Sequence, residues 1–354
     1  MFSNLRSLIF KLDPEKAHTL AIKSLKFNLV PNLFQDERND SLFKTKLFNK
    51  ELKNPIGMAA GFDKNAEVYN QLFKIGFGFV EVGTITPLSQ YGNPKPRVFR
   101  LVDDEALINR LGFNNHGAQN VLDRIKRNSK KGILGINIGP NKDSQNRLED
   151  YLSGLKSFYR FADYITINIS SPNTENLRNF HDQTRLDELL REIKKEKKNL
   201  NSKIPIVVKI APDIDDGEIQ RISEVLMNNE VEAVIISNTS NATREKLTDI
   251  QKHQKGGLSG KPIEEKSNLL INKFYKCLKN KNKNKIKIIG VGGVDSGLSA
   301  YNKFLAGAHY IQLYTGMVYK GPNIVNTIKN DLGDLLLKDG VKNFTEIIGN
   351  KTKS

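Results

Sequence analysis

The sequence of 354 residues has one cysteine, few histidines and no long apolar run, and each scarcity excludes a class of protein. Because Cys277 is the single cysteine, an intramolecular disulfide and a four-cysteine zinc or iron–sulfur site are excluded. The five histidines are scattered without HExxH or HxH spacing, so we expect no metal site. No apolar run approaches the roughly 18–20 residues of a membrane-spanning helix. The apolar run 8–10 is too short for the core of a signal peptide.

The chain is strongly basic. It has 55 Lys and Arg against 39 Asp and Glu, which gives a formal net charge of +16 at pH 7. Much of this charge lies in the segments 194–199 and 279–287, which are typical of solvated helix ends and loops. Contact with an anionic membrane is a second explanation, and nucleic acid ranks last because no segment interleaves aromatic with basic residues. We expect a cytosolic or membrane-peripheral protein that binds no nucleic acid.

The N-terminal segment 1–34 has the pattern of a helical extension. Apolar residues recur at helical spacing at Phe2, Leu5, Leu8, Ile9 and Leu12. Asp13 and Pro14 are a good N-cap and first-turn residue for a second helix, which we expect to end at Pro31. These basic amphipathic helices would either lie on a membrane surface or pack on the main domain, residues 35–354.

The main domain alternates between short apolar runs and amphipathic helical stretches. The runs lie at 56–60, 79–82, 133–138, 164–169, 206–210, 233–237, 286–291 and 310–313. Runs of this kind are typical of parallel strands buried on both faces. Eight strand–helix units predict an α/β fold, the TIM (β/α)8 barrel. An open doubly wound sheet is the alternative, but no GxGxxG motif follows the first strand.

Amide side chains recur in loops and at predicted strand ends, at Asn109, Asn137, Asn168, Asn173 and Asn238. The carboxyl ends of the strands form the active-site face of such a barrel. An amide offers an uncharged donor and acceptor, which suits the edges of a pyrimidine or an isoalloxazine ring. The segments 256–260, 290–293 and 314–316 carry glycines near strands seven and eight, where backbone N–H groups usually hold a phosphate. Ordinary tight turns are the alternative, but together these features favour FMN as the cofactor.

Few residues could serve as a catalytic base. His309 lies at the start of the last strand, and Cys277 falls in the middle of a predicted helix. Ser171 remains, in a Ser-Ser-Pro-Asn turn after the fourth strand, where Pro172 restricts its backbone to extended geometry. Because a serine hydroxyl is a weak base, we infer a proton relay through Thr174 and water.

Five motifs of this chain resemble those of the class 2, quinone-dependent dihydroorotate dehydrogenases. They lie at 54–64 (NPIGMAAGFDK), 108–115 (INRLGFNN), 168–173 (NISSPN), 256–262 (GGLSGKP) and 289–294 (IGVGGV). The segment 12–18 (LDPEKAH) is similar to the family's membrane-contacting helical extension. The resemblance implies oxidation of (S)-dihydroorotate to orotate, the fourth step of pyrimidine (UMP) synthesis. A base takes the C5 proton, FMN accepts a hydride from C6, and membrane quinone reoxidises the flavin.

The resemblance also implies roles for single residues. Ser171 would be the base, since class 2 enzymes use serine where class 1 enzymes use cysteine. Dihydroorotate would be held by Lys64, Asn109, Arg110, Leu111, Gly112, Phe113, Asn168, Asn173, Asn238 and Thr239. FMN would be held by Ala60, Gly61, Phe62, Asp63, Lys64, Thr84, Asn137, Asn168, Lys209, Ser237, Gly260, Gly293, Tyr314 and Thr315. A quinone site would include His18, Arg100 and Tyr314. We expect a monomer bound peripherally to the cytoplasmic side of the cell inner membrane.

Three other functions are compatible with parts of the sequence. A class 1 dehydrogenase that uses fumarate or NAD would have a cysteine base and no helical extension. An FMN barrel acting on tRNA uridines would need a contiguous basic groove and an RNA-binding domain. A non-catalytic flavin-binding protein at the membrane is the third alternative.

Overall fold

Parallel strands close into a barrel, so the TIM-barrel prediction is confirmed and the open sheet is wrong. A computed structural model describes residues 2–30, 40–242, 244–282 and 286–350. The strands are β1 (Thr45–Leu47), β2 (Lys50–Leu52), β3 (Ile56–Met58), β4 (Phe79–Ile85), β5 (Val98–Leu101), β6 (Ala106–Asn109), β7 (Ile133–Ile138), β8 (Tyr164–Asn168), β9 (Ile206–Ile210), β10 (Ala233–Ile236), β11 (Gly257–Gly260), β12 (Lys287–Val291) and β13 (Tyr310–Leu313). The barrel order is β3, β4, β7, β8, β9, β10, β12 and β13, and β13 pairs again with β3.

Helices surround the barrel and link its strands. They are α1 (Phe2–Ile9), α2 (Pro14–Lys26), α3 (Asp40–Phe43), α4 (Tyr69–Lys74), α5 (Ala118–Arg127), α6 (Arg147–Phe158), α7 (Gln183–Asn199), α8 (Asp216–Asn228), α9 (Glu264–Asn282), α10 (Gly297–Ala306), α11 (Thr315–Lys320) and α12 (Ile324–Lys338). Because helices cover the outer face and side chains fill the interior, every residue of β4, β7, β8, β9 and β10 is buried.

A hairpin that the sequence patterns did not reveal closes the amino end of the barrel. Strands β1 and β2 pair antiparallel, and Leu47 and Leu52 pack against the first residues of several barrel strands, among them Phe79, Tyr164 and Tyr310. Glycine makes room for these rings: a Cβ on Gly135 would lie 2.0 Å from the Tyr164 ring. The amino end is therefore filled with apolar side chains, and the site lies at the opposite end.

A second unpredicted element is the antiparallel sheet of β5, β6 and β11. Its strands come from two regions about 150 residues apart, and Leu101, Ile108 and Leu258 form a small apolar cluster of their own. The sheet brings Asn109 at the end of β6 and Gly260 at the end of β11 to the wall of the cavity described below.

The helical extension packs on the barrel and also presents apolar side chains to solvent. The Asp13 side chain caps α2 as predicted, accepting from the backbone N–H groups of Glu15 and Lys16. The predicted end at Pro31 is wrong: α2 ends at Lys26, and residues 31–39, which include the domain boundary at 34/35, lie outside the described residues.

Two arginines of the β5 region dock the extension. Arg97 donates two hydrogen bonds of 3.0 Å to the Glu15 carboxylate, and Arg100 donates to the carbonyl oxygens of Phe10 and Leu12. Exposed apolar side chains remain at Leu5, Leu8, Leu12, Leu20, Phe27 and Leu29. Among the described helices, none is both long and apolar enough to span a bilayer.

Candidate active site

A cavity lies at the carboxyl end of the barrel, beneath the sheet of β5, β6 and β11. Its walls enclose about 860 Å³ of atom-free space, part of which is open to solvent. Its lining includes the predicted residues Ala60, Asn109, Leu111, Lys209, Ser237, Asn238, Thr239, Gly260, Gly293, Tyr314 and Thr315. The structure thus gathers residues from seven separate segments, which the sequence could place only at strand or loop ends.

Glycines let the backbone approach this cavity at the end of β11 and just after β12. Gly260 has φ +101 and Gly293 has φ +74, values that side-chain-bearing residues rarely adopt. A Cβ on Gly293 would lie 2.3 Å from the Cβ of Glu264, and one on Gly260 would lie 2.4 Å from the carbonyl oxygen of Glu105. These backbone segments, the hydroxyl groups of Ser237 and Thr315 and the Lys209 cation form a set of groups that fits a flavin with a phosphate tail.

Lys209 and Glu81 place opposite charges inside the barrel. Burial lowers the pKa of Lys209, and the Glu81 carboxylate opposes that shift. Glu81 is fully buried and accepts hydrogen bonds from Tyr164 (3.1 Å), Thr166 (3.1 Å) and Gln312 (3.2 Å). A lysine that keeps its charge here would attract an electron-rich ring edge.

The predicted residues Thr84, Asn137 and Asn168 form a buried hydrogen-bond network rather than a set of free amides. The Asn137 side-chain oxygen accepts a hydrogen bond from the Thr84 hydroxyl at 2.7 Å and from the Asn168 amide nitrogen at 3.2 Å. The Asn137 amide nitrogen donates to Glu81 at 2.8 Å. These three residues are not among those lining the cavity. Their hydrogen bonds fix the orientation of one another's side chains.

Ser171 lies in the loop after β8, three residues beyond Asn168. It is buried, and its hydroxyl accepts a hydrogen bond of 3.2 Å from the Asn173 backbone N–H. The Asn173 amide nitrogen donates to the Asn109 carbonyl oxygen at 3.1 Å, and Asn109 lines the cavity. Ser171 itself is not among the lining residues, so the chain Ser171–Asn173–Asn109 is its connection to the cavity wall.

Asn238 and Thr239 follow β10 and meet the same loop. The Asn238 amide nitrogen donates to the Ser170 hydroxyl at 2.8 Å, and that hydroxyl donates to the Asn168 side-chain oxygen at 2.7 Å. The Ser170 hydroxyl therefore links Asn238, in the loop after β10, to Asn168 at the end of β8.

The segment after β3 carries Lys64, whose ammonium donates to the Gly61 carbonyl oxygen at 2.7 Å. Burial lowers the pKa of Lys64 to about 8. The Asp63 carboxylate binds the backbone of its own loop. One oxygen accepts a hydrogen bond of 2.8 Å from the N–H of Glu67, and the other accepts one of 2.8 Å from the N–H of Val68. Burial raises the pKa of Asp63 to about 6.

Of the motif 110–113, only Leu111 lines the cavity, and the other residues contact the loops around it. Leu111 lines the cavity, and the Gly112 carbonyl oxygen accepts from Gln90 at 3.0 Å. Phe113 has φ +54, and its ring lies near Gly139. The Arg110 guanidinium stacks 4.5 Å from the Phe99 ring and donates to the Lys255 carbonyl oxygen, so it is tied to the outer loop and does not line the cavity.

The three residues predicted for a quinone site lie in two separate places: His18 and Tyr314 are near each other, and Arg100 is not with them. The His18 ring lies 5.3 Å from the Phe62 ring and 6.4 Å from the Tyr314 ring, and Tyr314 lines the cavity. Burial, together with the Lys64 charge, lowers the pKa of His18 to about 3, so the ring is neutral. Arg100 lies elsewhere, with its guanidinium 4.8 Å from the Phe10 ring.

Sequence reasoning missed Glu81, Ser259 and Glu105. Glu81 lies inside the otherwise uncharged strand β4 (FVEVGTI), and a single acidic residue in a buried run was the available signal. Ser259 and Glu105 line the cavity from the small sheet and the β5–β6 turn, which no local pattern indicated.

The structure is a TIM-barrel protein with a cavity at the carboxyl ends of its strands. The sequence model of the dihydroorotate dehydrogenase family matches residues 42–336. The chain belongs to the dihydroorotate dehydrogenase family.

Similar proteins of known name cover almost the whole chain. The dihydroorotate dehydrogenase (quinone) of Bartonella tribocorum is 46% identical over 346 residues, which cover 96% of this chain and 94% of that protein. The protein of the same name from Idiomarina loihiensis is 44% identical and covers 94% of this chain and 100% of its own length. The solved DHODH of Eimeria tenella in complex with ferulenol superimposes with a TM-score of 0.91 at 36% identity and covers 97% of this chain and 96% of its own.

Proposed function

We propose that this protein oxidises (S)-dihydroorotate to orotate, holds FMN and passes the electrons to a membrane quinone. The observation that carries the proposal is the cavity in which Lys209, the Asn109–Asn173 pair and the glycine segments at the end of β11 and just after β12 meet. Membership of the family supports the reaction, and the names of the relatives support quinone as the acceptor.

The chain's own groups would divide the work on the substrate. Lys64 attracts the substrate carboxylate, and Asn109, Asn173, Asn238 and Thr239 bind its ring edges through uncharged donors and acceptors. Ser171 takes the proton from C5 and passes it to water through a relay that includes Thr174. When bound, FMN supplies the acceptor for the hydride from C6.

FMN would occupy the cavity. The residues that would surround it from the cavity lining are Ala60, Ser237, Gly260, Gly293, Tyr314 and Thr315, and Lys209 would supply positive charge. The remaining residues of the site, which lie outside that lining, would be Gly61, Phe62, Thr84, Asn137 and Asn168. The Glu81 network would keep the amides of Asn137 and Asn168 in one orientation.

The helical extension would carry the quinone and the membrane contact. Exposed apolar side chains on α1 and α2, together with the lysines of α2, suit the surface of an anionic bilayer. His18 and Tyr314 would line the way from this surface to the cavity, since their rings are 6.4 Å apart. The protein would be a peripheral monomer on the cytoplasmic side of the inner membrane.

Anaerobic titration tests the reaction directly. Purified protein should be yellow, dihydroorotate should bleach the flavin absorbance, and a soluble quinone analogue should restore it. Flavin that stays oxidised with dihydroorotate would contradict the proposal and favour a non-catalytic flavoprotein. Restoration by fumarate or NAD but not by quinone would favour the class 1 alternative.

A further inference from the structure

Arg178 joins three loops at the carboxyl end of the barrel through its three guanidinium nitrogens. Nε donates to the carbonyl oxygen of Ser170 at 3.2 Å, in the loop after β8. Nη2 donates to the carbonyl oxygen of Thr239 at 3.1 Å, in the loop after β10. Nη1 donates to the carboxylate of Asp213 at 3.1 Å, in the loop after β9. Each nitrogen thus binds a different loop.

Asp213 is itself held from several sides, so it is a firm partner for Arg178. Its carboxylate accepts from the Ser240 hydroxyl at 2.6 Å, the Asn241 backbone N–H at 2.9 Å and the Lys266 ammonium of α9 at 2.5 Å. Burial alone would raise the pKa of Asp213, but the hydrogen bonds from Lys266 and Ser240 lower it below its usual value. The carboxylate therefore stays charged.

The two carbonyl groups that Arg178 binds belong to the segments proposed to act on the substrate. The Ser170 carbonyl is part of the peptide bond to Ser171, and Thr239 is itself a proposed substrate contact. Gly257 of β11 also packs against both segments, since a Cβ there would lie 1.9 Å from Thr239 Oγ1 and 3.2 Å from Pro172 Cγ. Arg178 and Gly257 thus both contact the two segments and together limit how far apart they lie.

We propose that Arg178, held by Asp213, is a positioning residue that sets the place of the Ser171 hydroxyl relative to Thr239 across the substrate site. This inference rests on the proposed function. A planar guanidinium offers donors in three fixed directions, whereas lysine has a single nitrogen and cannot bind all three loops. Since a displacement of about 1 Å at the reacting groups costs up to about 10²-fold in rate, loss of these bonds should slow the chemical step.

Rapid anaerobic mixing of Arg178→Lys with dihydroorotate tests the proposal. We expect the limiting rate of flavin reduction to fall about 10–100-fold, by the same positioning argument. Flavin content should remain unchanged, and the apparent substrate dissociation constant should move much less than the rate. Asp213→Asn should also lower the reduction rate more than it changes the dissociation constant, but to a smaller extent. In this variant the Arg178 guanidinium loses its charged partner but keeps its bonds to the carbonyl oxygens of Ser170 and Thr239.

Two further measurements separate positioning from general stability. Guanidinium ions should partly restore the reduction rate of Arg178→Ala, and hydrogen exchange of segment 170–182 should be faster in Arg178→Lys than in the unaltered protein. The matched control is Arg185→Lys on the exposed side of α7, which should behave as the unaltered protein.

The outcomes distinguish this inference from the proposed function. If the unaltered protein is not reduced by dihydroorotate, the proposed function fails. If it is reduced and both Arg178→Lys and Asp213→Asn match its rate, only the positioning role fails. A third outcome would also contradict the positioning role. In that outcome Arg178→Lys reduces its flavin slowly, but its hydrogen exchange equals that of Arg185→Lys, and guanidinium ions do not raise the rate of Arg178→Ala.

Discussion

Asn137 donates a hydrogen bond of 2.8 Å to the Glu81 carboxylate, and both side chains are fully buried inside the barrel. This bond fixes the orientation of the Asn137 amide, because a carboxylate can only accept. With its nitrogen turned to Glu81, Asn137 presents its oxygen to Thr84 and Asn168. A single buried charge thereby determines the pattern of donors and acceptors beside the proposed flavin.

Glu81→Gln should weaken both the fold and the cofactor site. The carboxamide keeps the shape, but its NH2 group replaces one of two oxygens that together accept from four donors, so at least one donor loses its acceptor. We therefore expect the free energy of unfolding to fall by about 1.5–3 kcal/mol, the range for hydrogen bonds to a charged group. Urea denaturation measures this, and flavin fluorescence on dilution measures cofactor release. Glu188→Gln, at an exposed position of α7, is the control. Equal stability and equal flavin retention in the two variants would contradict the role of Glu81.

Ser171→Ala should keep flavin and substrate binding but lose proton abstraction. We expect flavin reduction by dihydroorotate to slow by about 10²–10⁴-fold, the usual contribution of a general base. Rapid mixing gives the rate, and the change in the flavin spectrum on adding orotate gives the binding. Reduction at the unaltered rate would mean that another group takes the proton.

Lys64 should make substrate binding depend on pH. Burial lowers the pKa of Lys64 to about 8, with the Glu15 charge opposing and the Arg97 charge adding to that shift. The ammonium is charged below this pKa and neutral above it, so the dissociation constant of dihydroorotate should rise as the pH passes about 8. In Lys64→Arg the charge persists and this rise should disappear. A rise of the same size in both proteins would assign the titration to another group.

Gly257→Ala should displace Thr239. The added Cβ would lie 1.9 Å from Thr239 Oγ1 and 2.6 Å from Thr239 Cβ, a contact that the fold cannot keep. We expect substrate affinity to fall about tenfold, as for the loss of one hydrogen bond of about 1.4 kcal/mol, and orotate titration measures it. Gly217→Ala is the control, because the added Cβ there meets chiefly the flexible end of Arg221. Unchanged affinity in Gly257→Ala would mean that Thr239 does not bind substrate.

The paired change Leu5→Gln and Leu8→Gln should reduce membrane binding. Both side chains are at least half exposed on α1, at 50% and 63%, so the fold loses little when they become polar. Co-sedimentation with vesicles containing anionic lipid should show weaker binding, while reduction by dihydroorotate stays unchanged. Leu298→Gln, equally exposed on α10, controls for loss of apolar surface. If all the variants bind vesicles alike, the extension is not the membrane contact.

Local patterns in the sequence predicted much of the barrel. The eight apolar runs became its strands because a parallel strand buried on both faces must be apolar along its length. The Asp13–Pro14 pair predicted a helix start because an N-cap depends only on residues within one turn. The end of α2 at Lys26 was missed, since helix ends depend on weaker signals than a proline further along the chain.

The sequence by itself determined the barrel class, the start of α2 and the segments that carry Asn109, Lys209, Ser171 and the glycines. These features depend on residues close together in the chain, and periodicity or a short motif is enough to reveal them. Tertiary structure alone decided that Glu81 faces Asn137, that β6 pairs with β11 and that Arg178 meets Ser170, Asp213 and Thr239. Such contacts join residues that closure of the barrel brings together from distant positions, and no local pattern of one sequence encodes them.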